Sequence, residues 1–328
     1  MLKFVDLFCG GGFGARGAVN GGGSPLLAVD AWELAIQTYK ANFPGATVLG
    51  KKIEKIDPSD FEGKYAPDVL LTSPECTAHS IARGAKPGSE KSRETAISIF
   101  PWIEAFDPRW VIVENVNRMK TWERHEELLT TLEEYGYTIS QLLLDSAEFG
   151  TPQSRKRLFL ICDQKGVTVT KEELLAVHRR KTKSAADVLE PSGTYSTSPL
   201  YQPGRAKATL ERAERAMKAL GKGKPFLIVY YGSDYAGGWQ SLDAPLRTVT
   251  TLDRFGLVTW KGNEPMLRML QPPELIRAMG ADGHELPYGT RRDKVKLCGN
   301  GVCSPVMEAV FRKIANINEE AGGLAAAV

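Results

Sequence analysis

Short apolar runs alternate with helical patterns through the first half of the chain, and this alternation limits the fold more than any other feature. Residues 4–8 are an apolar run that ends in glycines, and residues 25–30 are a second run, followed by helical periodicity over 33–43. Residues 69–72 and 110–113 read as two further buried strands, with apolar positions at helical spacing between them over 96–106. A helix is expected over 126–135, then closing strands over 138–144 and 158–162. Repeated strand–helix units of this kind produce a mainly parallel sheet covered on both faces, an α/β fold.

After Asp163 the pattern changes. Residues 171–183 are charged and partly helical, 191–203 are rich in Ser, Thr, Pro and Gly, and 205–220 read as an exposed helix. Strands are expected at 226–231 and 247–251, and helices at 267–279 and 305–316, before a frayed tail. The expected organisation is therefore a catalytic, cofactor-binding domain over 1–163 and a smaller β-containing unit over 164–262. A final segment, 263–328, returns to the first domain.

Charge follows the same division. The 328-residue chain has a net charge of only +3, yet residues 164–224 carry 13 Lys and Arg against 6 Asp and Glu. A basic unit on a mildly acidic body suits a polyanion such as nucleic acid. Five scattered cysteines form no disulfide framework, and Cys298 with Cys303 are too few for a zinc site. No apolar stretch spans a bilayer and the first residues lack a signal-peptide pattern, so a cytoplasmic protein without membrane or metal is expected.

Four short segments carry the chemistry. Gly12-Phe13-Gly14-Ala15-Arg16-Gly17 matches G-x-G-x-x-G between a strand and a helix, where glycine lets a ligand approach the backbone. Asp30, at the end of the second run, is the expected acceptor for ribose hydroxyls. Taken alone, the loop fits a nicotinamide or flavin enzyme equally. Cys76 follows Pro74 directly after the 69–72 run, so it lies at the carboxyl edge of the sheet, where a thiolate can act as a nucleophile. Glu114 ends the 110–113 run. Arg155 and Arg157 alternate in Gln153-Ser154-Arg155-Lys156-Arg157, so both point to one face.

The wider strings resemble the DNA cytosine carbon-5 methyltransferase family, of bacterial or phage type, over nearly the whole chain. The strand–loop Asp6-Leu7-Phe8-Cys9-Gly10-Gly11-Gly12-Phe13-Gly14 resembles its first motif, Pro74-Glu75-Cys76 its nucleophile motif and Glu114-Asn115-Val116 its E-N-V motif. Gln153 to Arg157 resembles Q-x-R-x-R, residues 246–251 the segment supporting the recognition domain, and Gly299-Asn300-Gly301-Val302 the final G-N-x-V motif.

The resemblance implies a Rossmann-like sheet that binds S-adenosylmethionine, a target-recognition domain, and double-stranded DNA whose target cytosine is flipped out. Cys76 would attack carbon 6, Glu114 would bond the ring, and Arg155 and Arg157 would serve the base and its loop. Asp6, Leu7, Phe8, Gly10, Gly12, Gly14, Asp30, Trp32, Pro74, Asn300 and Val302 would hold the cofactor. Ser80, Gln153, Arg247, Thr248 and Thr250 would serve DNA. A monomer is implied, with a separately acting restriction endonuclease as a conceivable partner. The competing readings are a tRNA cytosine methyltransferase and a relative that binds nucleic acid with impaired catalysis.

The chain departs from the family pattern at three places. Glu75 and Thr77 flank Cys76 where proline and glutamine are usual, Lys52 stands where an aspartate normally receives the adenine amine, and Val302-Cys303-Ser304 partly replaces the usual prolines.

Overall fold

The computed structural model describes residues 1–74, 94–231 and 234–326. Its first sheet contains β1 (Leu2–Leu7), β2 (Gly23–Asp30), β3 (Thr47–Gly50), β4 (Val69–Thr72), β5 (Trp110–Asn115), β6 (Thr138–Asp145) and β7 (Lys156–Asp163). The order is β3-β2-β1-β4-β5-β7-β6. β1 to β5 pair in parallel, whereas β7 runs antiparallel to both β5 and β6.

Alternation along the strands sends neighbouring residues to opposite cores. Trp110 and Ile112 pack with one cluster, and Val111 and Val113 with the other. The first core includes side chains of α1 (Phe13–Asn20) and α2 (Glu33–Asn42), and the second includes those of α3 (Phe100–Phe106) and α4 (His125–Glu134). The helix expected over 96–106 thus begins only at Phe100. Pro101 sits in its first turn, where a missing N–H costs nothing. β3 escaped the sequence reading because it is a short edge strand, exposed at both ends, with no alternation to reveal it.

The remaining helices are α5 (Lys171–Val177), α6 (Lys207–Leu220), α7 (Pro272–Ala278), α8 (Arg291–Asn300) and α9 (Ser304–Ala326). Although α5 follows Asp163, it packs against α9, and Glu173 pairs with Lys313 at 2.9 Å. Among the described residues no helix is long and apolar enough to cross a membrane.

A second, antiparallel sheet has the order β10-β9-β11-β12-β8, from β8 (Ser198–Pro199), β9 (Phe226–Val229), β10 (Trp239–Ser241), β11 (Phe255–Lys261) and β12 (Glu264–Met269). Two expectations change here. The strand expected over 247–251 is not a ladder strand; Leu246 makes one isolated bridge to Gln153. The helix expected from residue 267 begins at Pro272, because β12 continues to Met269 and pairs with β11. β12 therefore belongs to the second sheet although it lies beyond residue 262.

The two units meet at a close backbone approach. At Gly299 a methyl group would overlap the carbonyl of Thr250 and the amide of Thr251, neither of which is a side chain that can move aside. Arg155 reinforces this seam by donating to the carbonyls of Val249 and Gly299, each at 2.8 Å. Gly299→Ala is expected to destabilise the fold by about 3 kcal/mol, read as an earlier urea or thermal transition. An unchanged transition would mean that the seam is not tightly packed.

Candidate active site

The carboxyl ends of β1, β2, β4 and β5 open into a cavity of about 560 Å³. This is the edge at which parallel α/β sheets bind ligands, because the strand-to-helix loops leave it open. β7 is antiparallel, so its beginning reaches the same edge, and Arg155 and Arg157 join residues that follow β4 and β5.

The glycine loop is fixed by Asp30. One carboxylate oxygen accepts from the Gly10 N–H at 2.9 Å and the other from the Trp32 N–H at 2.8 Å, tying the end of β2 to the loop after β1. Burial holds the Asp30 carboxyl above the usual range, with the two N–H donors and Lys296 opposing it. Gly10 has φ +52° and open space where a side chain would begin, leaving its backbone accessible. Phe8 adopts φ 57°, a costly conformation outside glycine, at the cavity wall. Asp6, also buried, has its carboxyl pushed well up by burial first, with Asp30 adding repulsion.

At the other end, Glu114 is buried and Arg157 Nε lies 3.2 Å from its carboxylate. Burial raises the Glu114 pKa, and Arg157 and then Arg155 oppose the rise. Asn115, the next residue of β5, donates to the Pro74 carbonyl at 3.2 Å and accepts from the Val116 N–H at 2.8 Å. One side chain thereby links the loops after β4 and β5.

The cavity brings together twelve expected residues: Asp6, Phe8, Gly10, Gly14, Asp30 and Trp32 on one side, and Pro74, Glu114, Arg155, Arg157, Asn300 and Val302 on the other. Leu7 is a buried core residue instead, and Gly12 faces Tyr39 and Phe43. Gln153 is fully buried, donates to the Ala278 carbonyl at 2.9 Å and accepts from the Val249 N–H at 2.7 Å, so it stands inside the seam and not on a surface that a duplex reaches. Thr248 and Thr250 bond backbone carbonyls in the same region, and Arg247 bonds the Trp239 carbonyl at 3.1 Å. Cys76, Ser80, Glu75 and Thr77 lie outside the described residues.

Several contributors were missed. Lys296 places its ammonium 4.2 Å from the Trp32 ring centre, a cation–π contact at the cavity wall. Lys52, which the sequence places at the adenine position, lines the cavity together with Lys51. His284 carries no sequence signal at all, yet it is buried with Nε2 2.8 Å from the Gly11 carbonyl and its ring 4.5 Å from that of Phe13.

Burial lowers the His284 pKa from 6.5 to about 4, with Arg16 assisting, so the neutral ring donates its Nε2 proton to Gly11. The unfolded chain therefore takes up this proton first as pH falls. The stability involved is complete above about pH 6.5 and is lost towards pH 4, by at most about 3 kcal/mol. His284→Gln should flatten the decline measured by urea unfolding between these limits. An equally steep decline would remove His284 as its source.

Sheet order, glycine loop and edge cavity together define a Rossmann-like α/β fold with a ligand site at the carboxyl edge of its sheet. The sequence matches the C-5 cytosine-specific DNA methylase family over residues 2–316, and the chain belongs to that family.

Among its relatives, the Type II methyltransferase M.HgiDI of Herpetosiphon aurantiacus is 28% identical, over 75% of this chain and 80% of its own length. The human tRNA (cytosine(38)-C(5))-methyltransferase is 29% identical, over 49% of this chain and 42% of its own. The crystal structure of a putative DNA modification methyltransferase encoded within an E. coli prophage superposes with a TM-score of 0.70. It is 16% identical, with 97% of this chain and 100% of that chain covered, a likeness that concerns the fold.

Proposed function

We propose that the protein transfers a methyl group from S-adenosylmethionine to carbon 5 of a cytosine flipped out of duplex DNA, as a bacterial or phage modification enzyme. The observation that carries this reading is the buried Glu114–Arg157 pair, held at the cavity edge beside Pro74, two residues before Cys76.

Carbon 5 of cytosine is a weak nucleophile. Addition of the Cys76 thiolate to carbon 6 converts the ring to an enamine and divides one difficult step into easier ones. Glu114, its carboxyl raised by burial, is suited to share a proton with ring N3 and to accept from the exocyclic amine. Arg157 orients Glu114 and offers its remaining donors to the base carbonyl. Loss of the carbon-5 proton accompanies release of Cys76, with water as the acceptor.

The cofactor reading is supported by the open Gly10 backbone, the fixed Asp30 carboxylate with lone pairs left for ribose hydroxyls, and the Trp32 ring. Asp6, Phe8, Gly14, Asn300 and Val302 complete its walls. When bound, S-adenosylmethionine supplies an electrophilic methyl group. Lys52 has no acceptor to offer the adenine amine, so adenine contacts on that side come from donors. The basic stretch 164–224 suits duplex phosphates, with the protein acting as a monomer and any cognate endonuclease acting separately.

The tRNA enzyme among the relatives makes tRNA the competing substrate. Labelled methyl transfer to duplex DNA and to tRNA separates the two, and bisulfite sequencing of DNA from expressing cells locates the site. Label in tRNA alone, with no modified cytosine in DNA, would sink the proposal.

A further inference from the structure

A second cavity, of about 400 Å³, opens beside β8 and the end of β12, with Tyr230 and Arg291 in its wall. Strand directions put it at the catalytic end of the recognition sheet. β9 leaves that end into Tyr230, and antiparallel β11 enters it at Phe255, just after Thr251, which lines the active-site cavity. β12 finishes there at Met269. α8 joins the two cavities: Arg291, its first residue, lines the groove, and Asn300, its last, lines the active site. Ten residues of helix span about 15 Å, or about four base-pair steps of 3.4 Å along a duplex.

The groove contains three arginines in different states. Arg268 is consumed by the fully buried Glu274, with contacts of 2.6 and 2.7 Å, and Arg291 by Asp253, at 2.7 and 2.9 Å. Arg205 bonds only neutral acceptors: Nε donates to the Leu200 carbonyl at 3.3 Å, and Nη2 to Ser198 Oγ at 2.8 Å and the Pro199 carbonyl at 3.1 Å. Among the described residues no carboxylate pairs with it, and both Nη1 hydrogens are without a partner. The exposed Ser196 and Thr197 lie in the same wall.

We infer that this groove takes one backbone phosphate of the DNA, about four base pairs from the flipped cytosine, with Arg205 as its charged ligand. A guanidinium already held by three bonds has spent its conformational entropy, and no carboxylate among the described residues compensates its charge. Two free donors on one nitrogen, with hydroxyls beside them, meet the oxygens of a phosphate, the anion that a duplex repeats along its length. Such a contact sets register and affinity without reading sequence. The inference rests on the DNA reading above.

Two variants test it in the full-length protein, with a duplex bearing the site located by bisulfite mapping and binding followed by fluorescence anisotropy between about 50 and 200 mM salt. Arg205→Gln should weaken binding about tenfold and reduce the magnitude of the log–log salt slope by about 0.9. Thr197→Glu removes no bond of Arg205 and places a carboxylate in the groove, so it too should weaken binding. Retained affinity for S-adenosylhomocysteine reports that each variant is folded. Unchanged affinity and slope in both variants overturn the phosphate site alone. Failure of the unaltered protein to bind the duplex overturns the DNA reading and the site together, and an effect seen on tRNA but not on duplex DNA overturns the assignment to DNA.

Discussion

Replacement of Cys76 by Ser is expected to reduce methyl transfer below about one part in 10³ of the unaltered rate. A thiol near pKa 8.5 supplies a few per cent thiolate at neutral pH, whereas a serine hydroxyl supplies almost none without a strong adjacent base. Glu75, next in the chain, is a carboxylate, whereas Arg155 and Arg157, whose positive charge favours a thiolate, line the cavity that Pro74 borders. Covalent addition has its own signature. Duplex DNA with fluorine in place of hydrogen at carbon 5 cannot lose a proton there, so the adduct should survive denaturation and migrate as a protein–DNA band. The Ser variant should form no such band. Undiminished methylation by Cys76→Ser would exclude the covalent route.

Glu114→Gln is expected to lower the single-turnover rate by about 10²–10³-fold. The amide keeps the size of the side chain and can still accept from the exocyclic amine, but its N–H is not acidic enough to pass a proton to N3. It also leaves Arg157, otherwise 3.2 Å from a carboxylate, without its counter-charge. Because burial raises the Glu114 pKa above the ordinary carboxyl range, its protonated form persists to higher pH than in water. The rate of the unaltered enzyme should therefore fall as pH rises through that raised value, and the Gln variant should lack this limb. Arg157→Lys should shift the limb, because a single ammonium cannot reproduce the guanidinium contact. A Gln variant with an unchanged rate and pH profile would show that Glu114 does not handle the proton.

Much of this site was legible because its residues are fixed by local geometry. Asp6, Asp30, Pro74 and Glu114 each lie within two residues of the carboxyl end of a strand of the parallel sheet, and all such ends converge on one edge. Alternation predicted that Arg155 and Arg157 share a face, and both line the cavity. The second unit was less legible. The β11–β12 hairpin was read in part as helix because Leu267 and Leu270 fit either period until the pairing partner is known.

The sequence by itself therefore determined the α/β sheet, the glycine loop and the residues at its carboxyl edge, since each depends on periodicity and turn chemistry within a few residues. Tertiary structure alone decided which of two similar arginines does which work. Arg155 turns to the Val249 and Gly299 carbonyls and Arg157 to Glu114, a choice set by groups up to 144 positions away in the chain. The same holds for Gln153, drawn into the seam, for His284, which braces a glycine loop 273 positions earlier, and for Arg205, which meets no carboxylate among the described residues. Burial and pairing arise where distant segments pack, and no local pattern encodes which polar group meets its partner there.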